Sequence, residues 1–323
     1  MELCKTNLIS VSPKRNGELI TYGVKMAGAP LEWNETMGEG IRIGIIDTGI
    51  DPYHEDLRPN LFAMRNFTKS RIAYDENGHG THVAGIAAAA RNGIGVVGAA
   101  PQAKLCIAKT FERDGSASQE AIIDSIKWLS EMGVSIINMS FSSESCTDSY
   151  YYALQDAHEK GISFICAAGN GGESAEAIGY PARFRETVSV TAVDLNKRHA
   201  DFSSVGPYAD IAAAGVNIYS TYPNQRYATL SGTSMATPLI SGCAALIQAK
   251  AMRRFRRYLT PKELKLILGF YAEQMGKSGR NNVYGYGVFS FGRFDRPDHV
   301  MSAETKRNEV WIRTAPMARQ ILF

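Results

Sequence analysis

IRIGIID, residues 41–47, is apolar at nearly every position and closes on a carboxylate. A strand wetted on one face alternates apolar and polar residues, whereas a near-continuous apolar run belongs to a parallel strand covered on both faces. Five more runs read the same way: KLCIAKTF (104–111), VSIINMSF (134–141), SFICAAG (163–169), TVSVTAV (187–193) and DIAAAG (210–215). Helical stretches separate them. SQEAIIDSIKWLSEM (118–132) sets Ile122, Ile126 and Leu129 on one face, and SYYYALQDAHEKG (149–161) ends in a glycine suited to a C-cap. A long apolar helix is predicted from about Thr233 through Leu246, and another over 261–274, with Pro261 in its first turn. This alternation implies one α/β domain: a doubly wound, mainly parallel twisted sheet with helices on both faces.

The bulk numbers fit that fold and exclude others. The chain has 323 residues, 45% hydrophobic and 21% charged, a composition that argues against disorder, collagen and coiled coil. It holds no apolar run of the roughly 18–20 residues that a membrane span needs, and a net charge of +3 gives no case for nucleic acid. The opening MELCKTNLISVSPKRN lacks the apolar core of a secretory signal. Five scattered cysteines without a C-x-x-C pair argue against a disulfide framework or a zinc knuckle. Cys106 and Cys166 lie in apolar runs and read as small core residues. A reducing, cytoplasmic location is the expectation.

Open α/β sheets bind ligands beyond the carboxyl ends of their strands. Asp47 ends the first run, Asn138 to Phe141 end the third, and Asn170 follows the fourth. NGHGTHVAG opens a helix on His79, and SGTSMATP opens another with Ser234 in its first turn. A serine hydroxyl needs a base, histidine titrates near neutrality, and a carboxylate fixes the imidazole tautomer. The oxyanion of an acyl transfer needs donors already in place. The Ser234 N–H at a helix N-terminus and the Asn170 side-chain NH₂ suit that task.

These motifs resemble those of the subtilases. IIDTGID, HGTHVAG and GTSMATP follow the family's Asp, His, Ser order, and YGVKMAGAP, GVVGAAP, DGSAS, INMSF, AAGNGG, GYPA and VYGYGV match its linking pieces across roughly residues 17–294. The chain looks most like the intracellular subtilisins. The resemblance implies a serine endopeptidase in which Asp47 orients the base His79, Ser234 is the nucleophile, and Asn170 and the Ser234 N–H hold the oxyanion. It implies a peptide bound as an extended strand between Gly115–Ser116–Ala117 and Ser140–Phe141–Ser142. Ala168, Gly169 and Gly179 would line the first specificity pocket, with Gly179 at its floor leaving room for a large apolar side chain. Ala117 and Ser142 replace usual glycines and Phe141 a usual leucine, which points to a narrower cleft. The resemblance also implies a structural Ca²⁺ held by Glu18, Asp56 and Asn92 with the carbonyls of Ala90, Ile94 and Val96. It divides the chain into an N-terminal extension (1–16), a catalytic domain (17–294) and a C-terminal tail (295–323). Leu8, Ile9 and Pro13 would lie across the cleft. The apolar residues of the tail would dock on the body or on a second copy.

Other readings fare worse. D-T-G at 47–49 occurs once, whereas an aspartic protease needs two facing aspartates. His79 and His82 lack the spacing and the glutamate of a zinc protease, so His82 reads as a packed structural residue. The run KAMRRFRR (250–257) reads as a solvated helix end, with Lys250, Arg253, Arg254 and Arg257 on one face. A processing protease of narrow specificity and a silent scaffold on the same fold are the alternatives; the scaffold would not need the intact Asp, His, Ser and Asn set.

Overall fold

The computed structural model describes residues 1–4, 6–173 and 178–295. The expected C-terminal tail from residue 296 onward lies outside them. The chain opens with strands β1 (Glu2–Leu3), β2 (Asn7–Ser12) and β3 (Leu19–Ile20), then two short helices, α1 (Tyr22–Met26) and α2 (Ala29–Glu32). Next come β4 (Arg42–Asp47), β5 (Leu61–Asn66), α3 (His79–Ala88), β6 (Val96–Val97), β7 (Lys104–Lys109), α4 (Gln119–Glu131), β8 (Ile136–Met139) and β9 (Phe141–Ser142). The second half runs α5 (Asp148–Glu159), β10 (Ser163–Ala167), β11 (Thr187–Val193), β12 (Ile211–Ala214), β13 (Ile218–Tyr222), β14 (Arg226–Ser231) and α6 (Thr233–Phe255). It closes with α7 (Pro261–Phe270), β15 (Ala272–Glu273) and β16 (Val288–Phe289).

Nine strands form the main sheet in the order β15-β16-β12-β11-β10-β8-β4-β7-β5, parallel except for the edge pair β15 and β16. All six apolar runs are strands of it. The first of them, β4, is central: the chain moves outward to β5 and β7, then returns to place β8 on the other side of β4. The switch point therefore lies between β4 and β8, and a doubly wound sheet opens its ligand crevice there. Helices α3 and α6 cover one face, while α4 and α5 cover the other, each over its own apolar core. Helix α6 is buried from Thr233 to Ala251 and packs along the five central strands β12, β11, β10, β8 and β4. Gly44 of β4 gives Leu129 of α4 room, since a Cβ there would stand 3.0 Å from the leucine methyl groups.

The helix expected over 261–274 stops at Phe270. Ala272 and Glu273 leave it to pair with Phe289 and Val288 as β15. Its start is a capping box, in which the Thr260 hydroxyl and the Glu263 carboxylate bond each other's backbone N–H. The basic run is not a free cationic face. Lys250 is buried and bonds Glu32 (2.5 Å) and Glu35 (3.4 Å), Arg254 bonds Glu35 (2.7 Å) and Arg257 bonds Glu263 (2.8 Å). Burying an ammonium requires such partners. The acids lie more than two hundred residues upstream or on the next helix, so the run alone does not reveal them.

Two small sheets flank the crevice. β13 and β14 form a hairpin, and β2 adds to β14 as a third antiparallel strand, from Asn7 opposite Ser231 to Ser12 opposite Tyr227. β1 pairs antiparallel with β9.

Candidate active site

The residues singled out at strand ends and helix starts meet at the switch point. Asp47, the last residue of β4, is fully buried. Its Oδ1 accepts from the Thr48 N–H (2.8 Å) and faces His79 Nδ1 at 2.8 Å. His79 is the first residue of α3, and its position depends on a second carboxylate. Asp75 accepts from the N–H groups of Asn77 (3.0 Å), Gly78 (2.8 Å) and Thr81 (2.8 Å), and from the Thr48 (2.8 Å) and Thr81 (2.7 Å) hydroxyls. It thereby ties the end of β4 to the open N–H groups of the helix. Burial pulls the His79 imidazolium down, but the Asp47 charge, the hydrogen bond to it and the Asp75 charge outweigh burial. The net shift is upward from the ordinary histidine value. The other ring nitrogen, Nε2, is buried with no protein partner among the described residues.

Ser234 sits in the first turn of α6. A buried hydrogen-bond chain holds that turn to the sheet: Ser241 Oγ donates to Asn138 Oδ1 (2.9 Å), Asn138 Nδ2 to Ser140 Oγ (2.9 Å), and Ser140 Oγ to the Ser234 carbonyl (3.1 Å). The Ser234 hydroxyl donates to the Ser140 carbonyl at 2.9 Å and not to His79. Asn170 follows β10. Its Oδ1 accepts from both the N–H (3.0 Å) and the hydroxyl (2.8 Å) of Thr233. That choice of acceptor turns Nδ2 the other way, to within 3.1 Å of where a Cβ on Gly232 would stand. Asn170 is thereby fixed against the start of α6, one residue before Ser234.

The two edge segments are present, and the chain's own N-terminus lies between them. The Met1 ammonium donates to the Ala117 carbonyl (3.1 Å), the Ala117 N–H to the Met1 carbonyl (3.0 Å) and the Leu3 N–H to the Gly115 carbonyl (3.0 Å). Glu2 is bridged to Ser116. On the opposite edge Glu2 pairs with Ser142 and Leu3 with Phe141. Cys4, the next residue, is buried with its thiol against the side chains of Ser234 and Thr233, and burial pushes that thiol up to about 11. The residues expected here are Leu8, Ile9 and Pro13; Met1 to Leu3 take that place instead, and Leu8 pairs with Leu230 of β14. Leu8 and Ile9 belong to β2, both 53% exposed. Extended backbone, not apolar side chains, is what strand addition selects.

Three further placements differ from the simplest reading of the sequence. The Phe141 ring is wholly buried 4.9 Å from Phe111, so only its backbone reaches the cleft. Gly179 does not face open space, because a Cβ there would collide with Ser142 Oγ and stand 2.6 Å from the Ser143 carbonyl oxygen. Ala168 is fully buried, and Gly169 takes the positive φ (111°) that a side chain resists. His82 is a packed residue, as expected: its Nε2 donates to the carbonyls of Ile218 (3.1 Å) and Ala228 (3.0 Å). Asp75 and Thr233 were not singled out in the sequence. The signal for Asp75 was available, since an Asp-x-Asn-Gly run immediately before a helix is a capping pattern.

A second oxygen-rich place lies on the loop before β6. Asp56 is buried; burial raises its carboxyl, against hydrogen bonds from the Val96 N–H (2.9 Å), Asn92 (3.2 Å) and Tyr227 (3.0 Å). Glu18 accepts from the Gly93 N–H (3.0 Å), and Asn92 Oδ1 from the Ile94 N–H (3.1 Å). Among the described residues no cluster of three or more acidic, histidine or cysteine side chains exists. A cation here would rest on Asp56, Glu18, Asn92 and backbone carbonyls. Hard oxygen donors around a desolvated carboxylate fit Ca²⁺.

A carboxylate-bound histidine at the switch point, with a serine and an asparagine at the start of a buried helix, is a set of groups that serine hydrolases use. The model of the subtilase family matches residues 38–287, and this chain belongs to that family. It is a subtilisin-like serine endopeptidase. It is 41% identical to an intracellular serine protease of Paenibacillus polymyxa over 76% of this chain and 78% of that protein. It is 41% identical to subtilisin DY of Bacillus licheniformis, over 72% and 86% of the two chains. It is also 38% identical to the major intracellular serine protease of Bacillus subtilis (strain 168), over 75% and 79%.

Proposed function

We propose that Ser234, His79 and Asp47 carry the peptide hydrolysis, acting on a peptide laid between Gly115–Ala117 and Ser140–Ser142. The observation that carries this is the 2.8 Å bond between Asp47 and His79 Nδ1, with the opposite ring nitrogen, Nε2, buried and bonded to no protein group among the described residues. The Ser234 hydroxyl turns from the Ser140 carbonyl to Nε2 and gives up its proton as Oγ attacks the peptide carbonyl carbon. Asp47 holds the imidazolium that forms. The oxyanion sits between the Ser234 N–H and Asn170 NH₂. As the C–N bond breaks, His79 returns the proton to the leaving amine. Water then takes the amine's place and hydrolyses the acyl-Ser234 by the same proton transfers in reverse. Labelling with a fluorophosphonate tests the assignment: wild-type protein takes up one adduct and Ser234→Ala none. A folded wild-type sample that stays unlabelled would overturn it.

The N-terminal extension is, in this reading, a cover for the cleft. It runs antiparallel to both edge segments and is bonded to each. The names of the intracellular relatives support work in the cytoplasm, in protein turnover or processing. Ala117 and Ser142 favour processing of a narrow set of sequences. A Ca²⁺ on Asp56, Glu18 and Asn92, with the carbonyls of Ala90, Ile94 and Val96, would brace the loop before β6 against the turn that holds Asp56 and supply no chemistry to the reaction. No helix among the described residues is long and apolar enough to cross a membrane.

A further inference from the structure

Gly179 does not leave the open space that a glycine floor implies, because Ser142 Oγ and the Ser143 carbonyl crowd it. Side chains alternate along a strand. Phe141 points into the core, so Ser140 and Ser142 point the other way, toward the site. Ser140 turns its hydroxyl to Ser234. Ser142 reaches to Gly179, where its hydroxyl occupies the space next to the glycine Cα. The two walls cannot part to make room. Ser143 and Tyr180 exchange backbone hydrogen bonds, N–H to carbonyl at 2.9 Å one way and 2.8 Å the other. The register also shows which residue is served: Leu3 stands opposite Phe141, so the next residue falls opposite Ser140, at the nucleophile. The chain seats a small side chain there, Cys4.

We propose that Ser142 is a specificity-determining residue, whose hydroxymethyl group closes the first pocket against Gly179 and restricts the residue before the cleaved bond to alanine, serine or cysteine in size. The inference rests on the protease reading above. A pocket that misfits its guest by one methylene loses about 10–200-fold in kcat/KM, and a phenyl ring exceeds the space by more than that.

The test uses the full chain and two coumarylamide peptides, one ending in Glu-Leu-Ala and one in Glu-Leu-Phe. Both compete with the same N-terminal strand, so the ratio of their kcat/KM values does not depend on how much of the enzyme is covered. Wild type is expected to favour alanine by at least about tenfold. Ser142→Gly should shrink that ratio at least about tenfold by raising phenylalanine turnover, with Ser142→Ala between the two. A variant that merely folded poorly would lower both rates and leave the ratio alone. A wild-type preference for phenylalanine, or an unchanged ratio in both variants, overturns the inference. So does failure to cut the alanine peptide by a sample whose Ser234 takes the fluorophosphonate. A folded sample that neither cuts nor labels overturns the protease reading, and this inference with it.

Discussion

Every chemical group of the site depends on a neighbour that holds its orientation, and single substitutions separate the two kinds. Asn170→Ala keeps the triad and removes one oxyanion donor. The expected loss in kcat is about 10²–10³, the size measured for the equivalent change in subtilisin itself and adopted from it, with KM little changed. Asp75→Asn leaves all three triad residues in place but weakens the acceptor that gathers Asn77, Gly78 and Thr81. Turnover should fall and the acid limb of the pH–rate profile should move down, because the Asp75 charge helps keep His79 protonated. In the unaltered enzyme that limb belongs above the ordinary histidine value of 6.5, since the base works only when neutral. A limb at or below 6.5 would contradict the assigned balance of charges. The same shift acts on stability with a definite sign. A raised folded value stabilises most below 6.5, and that contribution fades as pH rises through the folded value.

Strands and hairpins carry the next set of consequences. The N-terminal segment is held by backbone bonds to both edges of the cleft. Leu3→Pro deletes the N–H that bonds the Gly115 carbonyl. One hydrogen bond contributes about 0.5–1.5 kcal/mol, so turnover of a small peptide should rise roughly 2–10-fold. No rise would mean that the strand does not limit access. The hairpin of β13 and β14 is pinned to α3 through His82, and burial depresses that imidazole to about 3. The neutral ring contributes fully above 6.5, and the contribution drains away as pH falls toward the folded value. At pH 4.5 the cost is on the order of 2–3 kcal/mol. Denaturant midpoints should therefore fall from pH 7 to 4.5, and less steeply in His82→Gln. Two elements also show where sequence reading stops. The end of α7 is set by β16, which recruits Ala272 and Glu273, and nothing within 261–274 reveals that partner. β2, β13 and β14 lack the buried apolar runs of the main sheet; Asn7 to Val11 of β2 are all exposed. Their pairing depends on backbone geometry, which leaves little trace in side-chain pattern.

For the molecule as a whole, Ca²⁺ removal is the informative perturbation. An ion at a hundred times its Kd would add about 2.7 kcal/mol. A chelator should therefore lower Tm by several degrees and added Ca²⁺ restore it; an unmoved Tm would remove the ion from the account. The architecture was legible because six apolar runs became strands of one parallel sheet, and the reactive side chains stood at their carboxyl ends or at helix starts. Other features rest on contacts between distant segments. The turn of Ser234 toward Ser140 is a rotamer. The burial of Lys250 depends on Glu32 and Glu35. The N-terminus is paired twice, through β1 on β9 and through β2 on β14, so the residues between the cleft edges are Met1 to Leu3 and not the more apolar ones after them.

The five free thiols have a consequence for anyone handling the protein. Cys106, Cys166 and Cys243 are fully enclosed, Cys4 is sealed beneath its own strand and Cys146 is partly open to solvent. A thiol reagent should meet them in three waves: Cys146 at once, Cys4 whenever the N-terminus lifts away, and the remaining three only when the sheet comes apart. One alkylation time course, resolved by mass, would then give two separate clocks from the native chain without any engineered label: one for uncovering of the cleft and one for loss of the fold.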